Sequence, residues 1–357
     1  MNPYKLCTSE LASTYFPHWL WMGRKWQATD DIYYKYPACI PFLSMWYPPK
    51  VILSKLSRWM SHDNAFKLFS YDLLGHSLLA SIIAYFMFRQ SYGEMASLFG
   101  AITLTYSAYM IKPQTPAFMY TACWMPGMLI GGWFSVLSCG MAILGGYWPI
   151  LVYFMPLAVI LNPICLLGVI LGLPQIIPFL WYWPKSVRSG KNENTEYTLN
   201  DPKIGRLPIW KLKDLFIPNE SVSPTNGVHY PEVAMCMGIA VIYAFSSSWI
   251  LVVIIASLVC VGLIPSIQRI PSRALYLLSF SLALCVPKEI QSSVLILQMF
   301  LLLRNSYVYP SFPFSQWWDK PSKLYARESD YHGYPNFSGY LKGIKVKDYV
   351  GGFSLKC

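Results

Sequence analysis

Pro113 to Pro184 reads PQTPAFMYTACWMPGMLIGGWFSVLSCGMAILGGYWPILVYFMPLAVILNPICLLGVILGLPQIIPFLWYWP, and these 72 residues contain no Asp, Glu, Lys, Arg or His. A helix needs roughly 20 mostly apolar residues to cross about 30 Å of hydrocarbon. Inside that slab the backbone must satisfy its own hydrogen bonds, which favours helices. A window this long and this apolar reads as bilayer-embedded. Its breaks at Pro116, Gly131, Gly132, Gly145, Gly146, Pro149, Pro163 and Pro174 divide it into three or four predicted crossings.

Working toward the N-terminus, two further spans are predicted, Phe69 to Arg89 and Met95 to Ile111, joined by a turn at Ser91, Tyr92 and Gly93. They complete a first membrane block over 69–184. Residues 1–68 mix Trp19, Trp21, Trp26, Trp46, Tyr47 and Trp59 with Lys and Arg, a composition that favours the headgroup level. This stretch is predicted as a loop region with a short interfacial helix around 51–60. The first 30 residues hold no apolar run long enough for a signal peptide.

Toward the C-terminus, 185–232 turns abruptly to Asn, Lys, Glu, Pro and Ser and is expected to be a long polar loop. A second membrane block over 233–303 comprises an apolar run from Val233 to Ile264, a span from Ala274 to Val286 and a helix from Ile290 to Leu303. Residues 304–357 read as a polar C-terminal segment. The fold class expected is all-α, a polytopic transmembrane bundle of about 8–9 membrane helices.

Composition agrees, with 55% hydrophobic and 13% charged residues, where soluble domains hold about 25% charged. This excludes a soluble enzyme with one hydrophobic anchor. The net charge of +11 sits in three polar stretches and not along one helix face, which points to anionic headgroups and away from nucleic acid. Cys123, Cys139, Cys165, Cys260 and Cys285 all fall in apolar segments and are read as small hydrophobes. With no C-x-x-C pair among the nine cysteines, nothing indicates a metal site or a disulfide framework.

Several stretches carry a resemblance in their order. They are DDIYYKYPACIPFLSMWYPPK from Asp30, GHSLLASIIAYFMFR from Gly75, ASLFGAITLTYSAY from Ala96 and WMPGMLIGG from Trp124. LPQIIPFLWYWPKSVR from Leu173, WKLKDLFIPN from Trp210 and IPSRALYLLSF from Ile270 follow. Together the series resembles YfhO-like bacterial integral membrane proteins of the GT-C glycosyltransferase clan. The resemblance implies an enzyme of the bacterial cytoplasmic (inner) membrane that passes a sugar from a polyprenyl-phosphate donor to a cell-envelope acceptor. It places 1–68 on the extracytoplasmic side and a catalytic carboxylate in that loop. The family pattern also has a helix ahead of this loop and further spans beyond the second block, so relative to it the chain is expected to be shortened at both ends.

Glycosyl transfer from a lipid phosphate needs a carboxylate to activate the acceptor hydroxyl and cations to hold the departing phosphate. Asp30 and Asp31 are the candidate catalytic residues, with a hydrated acidic turn or a helix N-cap as the alternative. Arg188, with Lys185 one turn before it, and Arg269 and Arg273 around Pro271 are candidates for phosphate, or ordinary headgroup anchors. Asp72 and His76 stand four apart near the start of a span, so they share a face, as a functional or an orienting structural pair. Lys213 and His229 are polar candidates in the long loop. No D-x-D or H-x-x-x-H arrangement occurs, so neither metal nor other cofactor is predicted as obligatory, with a divalent cation at the first loop left open. The partners expected are the bilayer and a polyprenyl-phosphate sugar donor, with no nucleic acid. The alternative functions are a non-catalytic membrane subunit or remnant and, behind these, a transporter or flippase.

Overall fold

The computed structural model describes residues 16–24, 44–107, 116–182, 209–215, 237–264 and 274–303. Among them are twelve α-helices joined by short 3-10 turns, and no strand. In chain order these are α1 (Phe16–Arg24), α2 (Pro48–Leu56), α3 (His62–Arg89), α4 (Glu94–Tyr106), α5 (Pro116–Ala122) and α6 (Gly132–Gly145). They continue as α7 (Trp148–Leu161), α8 (Gly168–Tyr182), α9 (Ala240–Ala244), α10 (Ile250–Val261), α11 (Leu275–Leu284) and α12 (Ser292–Leu303).

The short helix expected around 51–60 is α2, continued by a 3-10 turn over Ser57–Trp59. Prolines 48 and 49 occupy its first turn, where the missing N–H groups have no intrahelical partner to lose. The first long helix, α3, begins at His62, seven residues ahead of the expected Phe69, because Ser61 caps it by accepting the Asn64 N–H at 3.3 Å. Its end at Arg89 and the restart at Glu94 match the turn read from Ser91, Tyr92 and Gly93. The apolar run from Val233 to Ile264 divides into α9 and α10 across the turns between Ala244 and Ile250.

Inside the charge-free window the glycines do the punctuating. Gly146 ends α6 in the left-handed conformation at φ 88°, and Pro149 then opens α7. Helices α6 and α8 approach closely. A Cβ on Gly140 would lie 2.6 Å from Leu171 Cβ, and one on Gly172 would lie 2.5 Å from Ile143 Cγ2, so small residues set this spacing. Pro156 inside α7 and Pro174 and Pro178 inside α8 interrupt the helical ladder, which membrane helices tolerate.

Two helical stretches are long and apolar enough to cross a membrane, Asn64–Arg89 and Pro163–Leu180. Shorter apolar helices over Gly132–Gly145, Trp148–Leu161, Ile250–Val261, Leu275–Leu284 and Ser292–Leu302 accompany them. The second block folds back onto the first around α11, which is buried along most of its length. Phe280 meets Phe154 edge-on at 4.8 Å between ring centroids, and the Tyr276 hydroxyl donates to Ala122 O at 3.1 Å. Gln298 on α12 ties the two blocks together. Its amide donates to Thr103 Oγ1 on α4 and to Met237 O, both at 2.9 Å, and its carbonyl accepts the Ile239 N–H at 2.9 Å. These bonds satisfy a buried amide, which would otherwise be costly in so apolar a place. The five described cysteines are buried free thiols.

Candidate functional site

A cluster of ionisable and hydrogen-bonding side chains lies midway along α3, assembled from three pieces of chain. Asp72 and His76 come from α3, one turn apart on one face, and both are buried. Tyr120 comes from α5, and Trp124 follows that helix directly. Tyr47 and Lys50 come from the start of α2. Tyr47 is held in extended backbone (φ −75°, ψ 110°) because it precedes a proline. Ser44, at φ 48°, anchors the approach to α2 by donating its hydroxyl to Gly145 O at 2.5 Å. Thr121 does the same for α5, donating to Ala142 O at 3.0 Å and accepting the Tyr147 N–H at 2.9 Å.

The hydrogen bonds run in one direction. Trp124 Nε1 donates to Tyr47 Oη at 2.8 Å, so the Tyr47 proton is free to point at His76 Nε2, 2.7 Å away. His76 therefore carries its own proton on Nδ1, which lies 2.7 Å from Asp72 O and 3.0 Å from Asp72 Oδ1. The alignment favours the carbonyl, and Oδ1 makes no well-directed hydrogen bond despite that short distance. Tyr120 donates to the other carboxylate oxygen, Oδ2, at 2.5 Å. The rings of Tyr47 and Tyr120 stack at 4.7 Å, and the edge of His76 meets Tyr120 at 4.7 Å, which walls the chain of polar atoms with aromatic carbon.

Two members outside the spans have displaced proton affinities. Burial, helped by the Cys123 thiol and the Asp72 charge, pushes the Tyr47 phenol well above its ordinary value even though the Trp124 N–H opposes it. It is thus a neutral donor at physiological pH. Burial also pushes the Lys50 amine down to about 7, against the pull of the Asp72 carboxylate. Below pH 7 both folded and unfolded chains hold the Lys50 proton, and the penalty of burying the charge is complete. From about pH 7 to about 10.4, the ordinary lysine value, the unfolded chain binds more protons, so this residue makes folding more favourable as pH rises. Between pH 7 and 9.5 the thermal midpoint of the wild type is thus expected to rise relative to that of Lys50→Met, measured in the same detergent. Parallel pH profiles for the two proteins would show that the amine is hydrated.

Chemically the arrangement is a proton acceptor. A proton reaching Tyr47 Oη allows the tyrosine's own proton to pass to His76 Nε2, and the Asp72 carboxylate steadies the resulting imidazolium. Among the described residues no three His, Cys, Asp or Glu side chains gather to hold a metal ion.

Compared with protein-family models, curated proteins and solved structures, the chain matches none. Its own residues therefore carry the functional argument.

Of the residues singled out in the sequence, the fold brings together Asp72 and His76. Lys213 lies exposed on a 3-10 turn over Ile209–Leu215, whose last carbonyl accepts the Met237 N–H at 2.9 Å. Asp30, Asp31, Arg188, His229, Arg269 and Arg273 lie outside the described residues. Tyr47, Lys50, Tyr120 and Trp124 are members that pattern reading passed over. The signal available was slight: a lysine following two prolines, and two polar-tipped aromatics inside the charge-free window.

Proposed function

We propose that the chain is a multi-pass protein of the bacterial cytoplasmic membrane, with about 8–9 membrane helices, acting as a GT-C-type glycosyltransferase of the YfhO-like kind. The observation that carries the membrane part is the exposure of the more apolar of its two membrane-length stretches. The window within Pro163–Leu180 has a mean hydropathy of 2.1, yet only 22% of it is buried, against 44% for the less apolar window within Asn64–Arg89. In water, apolarity and burial rise together. The reverse relation is what a hydrocarbon solvent favours.

Support for the chemistry comes from the ordered motifs together with the Tyr47–His76–Asp72 chain. In transfer from a polyprenyl-phosphate sugar, the acceptor oxygen bonds to the anomeric carbon while the bond from that carbon to the phosphate oxygen breaks. The phosphate departs with the electron pair, and Arg188, Arg269 and Arg273 are the cations proposed to hold it. The acceptor proton passes either to the carboxylates of Asp30 and Asp31 or to Tyr47 Oη, whose own proton moves to His76 Nε2. A non-catalytic membrane subunit is the second reading, favoured by the near-complete burial of Tyr47, Asp72, His76 and Tyr120.

Membranes carrying the chain and supplied with a panel of radiolabelled polyprenyl-phosphate hexoses are expected to transfer label to envelope material above membranes lacking it. Asp30→Asn with Asp31→Asn, or His76→Gln, is expected to lower transfer about 100-fold or more, whichever site holds the base. Label at background level would remove the enzyme reading, and transfer untouched by either change would remove both candidate bases.

A further inference from the structure

Helix α2 and the turn after it are built inside out. Lys50, Ser54 and Ser57 are buried, whereas Ile52, Leu56 and Trp59 are 62%, 38% and 79% exposed. Positions 52, 56 and 59 are spaced four and three apart, so they form one stripe on one helical face. The polar face is committed to the protein. Ser54 and Ser57 lie against α1 so closely that a Cβ on Gly23 would collide with Ser54 O, and Arg58 Nε donates to Gly23 O at 2.6 Å. A short helix in water does the opposite, turning its apolar stripe inward.

The position of this stripe is also informative. The turn ends at Trp59, and α3, one of the two membrane-length helices, starts at His62. Along α3 the exposed large apolar residues Tyr71, Leu78, Ile82 and Phe86 fall on one face. The outward apolar stripe of α2 thus leads in sequence into the outward stripe of a membrane-length helix. Lys55, half-buried, and exposed Arg58 neighbour Leu56 and Trp59. Cations at the rim of an apolar stripe that ends in an exposed tryptophan have the chemistry of a lipid interface, with carbon below and phosphate above.

We propose that Pro48–Trp59 is an in-plane foot that seats in the headgroup–acyl boundary of an anionic bilayer, with Ile52, Leu56 and Trp59 immersed and Lys55 and Arg58 at the level of lipid phosphate. The proposal rests on the membrane reading above and specifies a surface that reading does not contain.

The test uses the full-length protein in nanodiscs of phosphatidylcholine alone and of phosphatidylcholine with phosphatidylglycerol. Nitroxide labels are placed at Ile52→Cys, Leu56→Cys and Trp59→Cys, and separately at Ile170→Cys on α8, with the signal of the unsubstituted protein subtracted. Collision rates with oxygen, which partitions into lipid, and with a water-soluble nickel chelate give the depth of each. Expected are lipid-like collision ratios at 52, 56 and 59, shallower than at 170, with the three labels deeper in the anionic discs. Arg58→Glu is expected to abolish that deepening, whereas Arg58→Lys, which gives up the bond to Gly23 O and keeps the charge, is expected to retain it. Water-like ratios at 52, 56 and 59 with a lipid-like ratio at 170 would overturn the foot and leave the membrane reading standing, whereas a water-like ratio at 170 would overturn both. Labels shielded from both reagents at 52 and 56 would mean that protein covers the stripe, and would equally end the proposal.

Discussion

Replacing Asp72 by Ala is expected to lower stability in detergent by about 3–5 kcal/mol, the cost of removing one partner from a buried charged cluster. The carboxylate serves three neighbours at once. It accepts the Tyr120 hydroxyl at 2.5 Å, faces His76 Nδ1 at 3.0 Å and supplies the charge that favours the protonated Lys50 amine. In alanine the Tyr120 hydroxyl loses its acceptor and Lys50 loses its opposing charge, in surroundings where water cannot take their place. Asp72→Asn keeps an oxygen for Tyr120 and forfeits only the charge, so it is expected to fall between wild type and Asp72→Ala. A double-mutant cycle of Asp72→Ala with Tyr120→Phe should show a coupling of about 0.5–3 kcal/mol, since the two groups touch. Thermal or denaturant midpoints measure all of these. An Asp72→Ala protein within about 1 kcal/mol of wild type would mean the carboxylate is solvated, and the buried relay would have to be abandoned.

The second large effect is expected at Gly145, which touches none of the cluster's side chains. A Cβ there would lie 2.6 Å from Thr121 N and 2.6 Å from Tyr120 C, both backbone atoms of α5. Backbone cannot swing aside as a flexible side chain can, so Gly145→Val must displace α5. The helix would carry Tyr120 away from Asp72 and Thr121 away from Ala142 O. Overpacking of this kind costs about 1–3 kcal/mol, and the lost hydrogen bonds add to it. Gly75 on α3 makes the matched control. A Cβ there meets no atom within 4 Å, so Gly75→Ala is expected to raise stability by about 0.5–1 kcal/mol through the helix backbone alone. If Gly145→Val keeps wild-type stability, α5 does not pack where the cluster requires it.

Both experiments probe contacts that join distant parts of the chain, and such contacts are where pattern reading stopped. Asp72 and His76 were legible as a pair because four residues is one turn, and the periodicity of a helix is local information. The short helix around 51–60 was legible from the make-up of its own stretch, and the turn at Ser91 to Gly93 because glycine marks a chain reversal. Tyr47 and Tyr120 were not. They stand 29 and 44 residues from His76 and owe their place to Ser44, Thr121 and the close approach at Gly145. Lys50 was not singled out, since no local pattern tells a lysine that reaches a phosphate from one folded inward beside a carboxylate.

What the sequence determined by itself was the element type, and the proposal of a hydrocarbon solvent rests on the same residues. Seventy-two residues without Asp, Glu, Lys, Arg or His, in lengths that suit helices, leave little else for the backbone to do in hydrocarbon. What only the tertiary structure decided was which face of each helix is covered. In water, apolar residues turn inward and the sequence pattern reveals the buried side, but a lipid solvent rewards apolar side chains on either face. Burial then follows from packing and hydrogen bonding among particular residues, which is why Lys50, Ser54 and Asp72 lie inside while Ile52, Trp59 and Ile170 lie outside.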